Sequence, residues 1–113
     1  MPTAKPRKAP PADAAPVFAA LGDATRLRIV TRLCREGPLA MVQLQDDHEV
    51  SRQAVAKHLC ALEQAGLLRS ERVGRERIWA LQAQRLTQAR LYLDQISEQW
   101  DQALSRLRDF VER

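Results

Sequence analysis

Aromatic residues are scarce in this chain, with two Trp, two Phe and one Tyr among 113 residues. An interior with so few rings must be filled by Leu, Val, Ile and Ala, which suits packed helices. Cysteine is nearly absent too. Cys34 and Cys60 form no CxxC pair, so no disulfide framework is suggested and a reducing compartment is the expectation. Histidine occurs only twice. There is no glycine-rich phosphate loop, and no nucleophile, base and orienting group can be nominated together, which sets enzymatic chemistry aside. No apolar run reaches the length of a membrane span, and the first residues lack the apolar stretch of a signal peptide. The expectation is a cytoplasmic protein with no membrane partner.

What is present is positive charge, unevenly placed. The formal net charge is +4, and the segment 51–85 alone sets seven Arg and Lys against three Glu. An arginine excess confined to one segment favours a polyanion, of which the phosphate backbone is the commonest in a cell. Five of the six prolines fall within residues 1–16, among Ala and a few Lys and Arg. Residues 1–15 therefore read as a disordered basic tail, with one folded domain expected over residues 16–113.

Within that domain, Val17, Phe18 and Leu21 form a short apolar stripe that stops at Gly22, and Asp23 is placed to cap a helix over Ala24–Arg35. Its inner face is read as Leu27, Val30, Thr31 and Cys34, widened by Ile29 and Leu33. A short third helix is expected near Ala40–Gln45, burying Val42 and Leu44, with a turn at Asp46–Glu49. Ser51 is a good N-cap for the next helix, where Val55, Leu59 and Leu62 recur at core spacing. The opposite face carries Gln53, Lys57, Cys60 and Gln64, flanked by Arg52 and Ala56. Two short strands follow, Leu67–Arg72 and Arg77–Leu81, joined by a turn around Gly74. The last segment is a long helix in which Leu86, Ala89, Leu93, Ile96, Trp100, Ala103, Leu107 and Phe110 repeat at spacings of three and four. A seam of that length calls for a second subunit.

A short helix, a turn and a second helix with a small polar outer face describe a helix-turn-helix, and the basic hairpin after it is a wing. The fold class is thus mainly α: a winged helix-turn-helix with a two-stranded β-hairpin wing and a long C-terminal dimerisation helix. Small side chains at Ser51, Ala54 and Ala56 permit close approach to double-stranded DNA, and Arg52, Gln53 and Lys57 reach bases or phosphates from the first two turns. His58 is read as a phosphate contact. Arg72, Arg75 and Arg77 at the wing tip suit backbone or minor-groove contact. A winged-helix module that binds another protein is the alternative from a different class, and a thiol switch through Cys60 is a minority alternative among regulators.

The motifs LGDATRLRIV at residues 21–30, VSRQAVAKHLCALEQAGLL at 50–68 and RVGRERIWAL at 72–81 resemble the ArsR family of winged-helix repressors, and the likeness extends from Phe18 to the C-terminus. The resemblance implies a homodimer held by the first and last helices, placing Val17, Phe18, Leu93, Ile96, Trp100, Leu107 and Phe110 at the interface. It also implies a palindromic operator, repression of the chain's own and neighbouring genes, and DNA reading by Ser51, Arg52, Gln53, Lys57 and His58. The family's metal sites are not carried over. Its third-helix thiolate motif falls on Ala40 and Val42, and its last-helix site needs histidines that Leu86–Arg113 lacks. Thiol-sensing relatives pair a second-helix cysteine, matched by Cys34, with a last-helix cysteine that is missing, so Cys34 is read as core. No metal or cofactor is expected. An effector of unidentified chemistry is left open, its expected place being between the helix-turn-helix and the dimer helices.

Overall fold

The computed structural model describes residues 11–46 and 51–112. Most of the expected basic tail and the turn over Asp47–Glu49 lie outside the described residues. Helix α1 spans Pro11–Leu21, starting five residues before the order expected at Pro16. Pro11 occupies the first helical position, where its missing N–H bonds nothing in a helix anyway. Ala14 and Val17 are each 1% exposed, and the small Ala14 lets α1 close against the last helix.

Helix α2 (Ala24–Glu36) is capped as expected: Asp23 Oδ2 accepts the Arg26 backbone N–H at 3.0 Å. Its buried residues are Ile29, Val30 and Leu33. The face read from sequence is rotated away from the real one, since Leu27, Thr31 and Cys34 are exposed. Cys34 is therefore a surface thiol and not a core residue.

Strand β1 (Leu39–Ala40) leads directly into α3 (Met41–Asp46). Gln43 folds back so that its Oε1 accepts the Ala40 N–H at 2.9 Å, half of a capping box. Leu44 is fully buried as expected, whereas Val42 is 56% exposed. A six-residue helix has one inner row, and Leu44 fills it.

Helix α4 (Arg52–Gln64) begins at Ser51, whose Oγ accepts the Ala54 N–H at 3.1 Å. Val55, Leu59 and Leu62 are 0% exposed. The helix ends in a Schellman turn: Leu67 N–H donates to Leu62 O at 3.0 Å, and Gly66 N–H to Glu63 O at 2.9 Å. Leu62 and Leu67, the pair that closes this motif, are both fully buried. Gly66 sits at φ +80, and a Cβ there would lie 2.8 Å from Arg85 Cγ. Gly66→Ala is expected to lower stability by about 1–2 kcal/mol from the left-handed backbone alone, read as a drop in thermal midpoint by circular dichroism. An unchanged midpoint would contradict this.

Strands β2 (Leu68–Val73) and β3 (Glu76–Leu81) form the wing. Their turn places Gly74 at φ 64 with no positive φ at Arg75, the II′ pattern favoured by twisted hairpins. The expected two-stranded wing gains a third strand, in the order β1-β3-β2, with Leu39 opposite Trp79 and Ala40 opposite Ile78. A two-residue strand carries too little pattern to be read from sequence.

Helix α5 spans Ala83–Val111. Its first half closes the core with Ala89, and Tyr92 packs on Phe18 at 6.0 Å between ring centroids. Beyond that point Leu93, Ile96, Trp100, Leu104, Leu107 and Phe110 are all exposed.

Candidate nucleic-acid interface

The outer face of α4 is fixed by its inner one. With Val55, Leu59 and Leu62 turned into the core, Ser51, Arg52, Gln53, Lys57 and Cys60 all lie exposed. Ala54 and Ala56 are half-buried between them, so small side chains separate the long polar ones on this face. Arg52 and Lys57 make no hydrogen bond or ion pair among the described residues.

The wing contributes charge of the same sign. Arg72 and Arg77 are direct cross-strand neighbours. Like charges facing each other across an antiparallel pair are destabilising, by roughly 0.2–1 kcal/mol, unless an anion lies between them. Arg77 relieves part of this by donating from Nη1 to Ser70 Oγ at 2.9 Å, and Ser70 in turn donates to Glu63 Oε2 at 3.1 Å. That chain ties the wing to the end of α4. Arg72 and Arg75, by contrast, have no side-chain bonds among the described residues.

His58 does not project with this set. It is half-buried, and its Nδ1 lies 3.4 Å from Arg26 Nη1 and 3.9 Å from Asp23 Oδ2. Arg26 also donates from Nε to Ala20 O and from Nη2 to Ala19 O, the last turn of α1. One guanidinium thus joins α1, α2 and α4. Sequence reasoning gave Arg26 no role. The available signal was an Asp cap followed three residues later by an Arg.

The Arg26 N–H holds the Asp23 carboxyl below the usual carboxylate range; partial burial opposes this, and the nearby His58 and Arg26 add to the lowering. A carboxyl depressed in the folded state contributes stability above its unfolded pKa and loses it as pH falls through the folded value. Acidification below the ordinary carboxylate range should therefore lower the melting temperature of the native chain more than that of Asp23→Asn. Parallel acid melts of the two proteins check this, and identical profiles would remove Asp23 from the network.

A cleft of about 520 Å³ lies between α3, the first turns of α4 and the wing, with Cys60 in its wall. It is on the wing side of the helix-turn-helix, away from the expected effector position near the dimer helices. Val17, expected at a subunit interface, is in the chain's own core, whereas Phe18 is partly covered by Tyr92 and five interface residues of α5 are exposed. Among the described residues no helix is long and apolar enough to cross a membrane.

Residues 21–71 match the model of a helix-turn-helix domain. The helix-turn-helix transcriptional regulator Rv2034 of Mycobacterium tuberculosis is 41% identical over 86 residues, covering 76% of this chain and 77% of the relative. YuzN of Bacillus subtilis, named as a regulator of the same type, is 41% identical over 68 residues, 55% of this chain and 74% of that one. Among solved structures, an ArsR-like transcriptional regulator from Rhodococcus superposes with a TM-score of 0.72 at 39% identity, over 88% of this chain and 92% of the other. The chain belongs to the ArsR family. It is a DNA-binding transcriptional regulator of the winged helix-turn-helix class, and the helix-turn-helix match spans the motifs at residues 21–30 and 50–68. For this ArsR-family regulator, the three-helix junction at Arg26 falls within the first of those motifs.

Proposed function

We propose that the protein is a homodimeric repressor that occupies a palindromic operator and performs no catalysis. The observation that carries this reading is the pairing of a row on α4 (Arg52, Gln53, Lys57) that is exposed and unbonded among the described residues with a wing on which Arg72 and Arg77 are direct cross-strand neighbours. In this reading α4 lies in the major groove. Arg52 and Gln53 read base edges, the natural partners being guanine and adenine, while Lys57, Arg72 and Arg75 take phosphates. Ser51 fixes the approach through its cap, and His58 holds α4 through Arg26 instead of reaching the backbone. Arg77 acts mainly through Ser70, steadying the wing.

The exposed seam of α5, Leu93, Ile96, Trp100, Leu107 and Phe110, supports self-association with Phe18 at its edge. Twofold symmetry then sets the two α4 helices about one DNA turn apart, roughly 34 Å. The test is titration of the full chain against its own upstream DNA at two salt concentrations, with unrelated DNA as competitor. Binding that resists competitor and weakens steeply with salt is expected. Equal weak binding to both DNAs would sink autoregulation at that site, and salt-independent association would favour a protein partner.

A further inference from the structure

The cleft beside α4 contains more than a phosphate-binding surface requires. Part of its lining is apolar: Met41, Val42, Ala56 and Trp79. The rest is mainly basic, with Arg52, Arg72, Arg75 and Arg77 against the single acid Glu76. Phosphate oxygens gain nothing from an apolar lining. Val42 is 56% exposed although the core has no claim on it, and Arg72 and Arg75 are uncommitted among the described residues. The volume of about 520 Å³ is within the range of small-molecule sites, roughly 300–1,000 Å³.

We propose that this cleft binds an amphipathic organic anion, a flat apolar body bearing one acidic group, and that such a ligand and the duplex exclude each other. The apolar body lies on Val42, Met41 and the edge of Trp79. The acidic group meets the wing guanidiniums, whose forked donors match a carboxylate. Because Arg52 and Arg72 line the same cleft that faces the duplex, occupancy removes DNA by direct competition, with no change of conformation required. The exclusion rests on the DNA reading of α4 and the wing, whereas the binding of the anion does not.

Anilinonaphthalene sulfonate, an aromatic anion whose fluorescence rises in apolar surroundings, is the probe. It is titrated into the full chain, into Val42→Asp and into Arg75→Glu, with the helicity and melting of each recorded. Both substitutions are at exposed positions on separate elements, so one folded variant is enough to decide. Saturable binding that weakens about tenfold or more in either variant, a loss of one decade in Kd, is expected. Octanoate should displace the dye and octylammonium should not. Excess duplex should displace it as well. Dye binding unchanged in both variants, equal displacement by the two octyl compounds, or dye and duplex bound together would overturn the proposal. Duplex binding without dye is measured alongside. Its failure would sink the DNA reading, while the variants would still decide whether the anion occupies the cleft.

Discussion

Replacing Arg52 and Lys57 together by Ala is expected to weaken operator binding by about a hundredfold or more, since one bidentate base contact is worth about 1–3 kcal/mol and a dimer loses it twice. The two residues should fail in different ways. Loss of Arg52 alone should relax sequence preference, leaving the gap between operator and unrelated DNA narrower. Loss of Lys57 alone should weaken both DNAs alike and flatten the salt dependence by roughly 2 in the log–log slope, one phosphate per protomer. Both side chains are exposed and bonded to nothing among the described residues, so the fold should melt as before, within about 0.5 kcal/mol. Anisotropy of labelled duplexes across a salt series separates these outcomes. If the double variant retains its preference for the operator, α4 does not read the sequence.

The second large effect is expected at the other end of the molecule. Trp100 is 64% exposed and Phe110 69% exposed, and among the described residues no other element covers either. Changing both to Asp should leave the winged domain folded while converting a dimer to monomers. Each large apolar side chain contributes about 1.5–3 kcal/mol when fully buried, and symmetry doubles every substitution. That is enough to carry a nanomolar dimer past micromolar concentrations. Sedimentation measures the change directly. Affinity for a palindrome should then fall to that of a single half-site. A variant that still sediments as a dimer would place the interface elsewhere.

How legible these features were depends on how many constraints act on each residue. Helix α4 was readable because its cap, its core row and its terminating Gly66 all agree, and a three-way agreement leaves one rotation of the helix. Helix α2 was not. Leu27, Val30, Thr31 and Cys34 satisfy the same spacing as Ile29, Val30 and Leu33, and periodicity cannot rank two overlapping rows. The long apolar flank of α5 is legible in the sequence as a continuous row, and Leu93, Ile96, Trp100, Leu107 and Phe110 on it are exposed in the folded chain. The start of α1 escaped notice because its inward residue is Ala14, whose small side chain leaves no periodic mark although it packs fully. The contact between His58 and Arg26 was not foreseen because the two lie 32 residues apart in sequence, and contacts of that kind appear only once the helices have been packed. The cleft could not be foreseen either, since α3, α4 and the wing each supply part of it.

The two residues of β1 have a consequence for the operator itself. Leu39 and Ala40 bond to β3 and run without a break into α3, while the Arg77–Ser70–Glu63 chain fastens the wing to α4. If α4 and the wing dock on DNA as proposed, these ties restrain the two from moving independently to suit a poorly shaped site. In that reading more of the adjustment falls to the duplex, through its groove width and curvature. Base pairs that no side chain touches then influence affinity through the work needed to deform them, favouring steps such as TA or CA that kink readily.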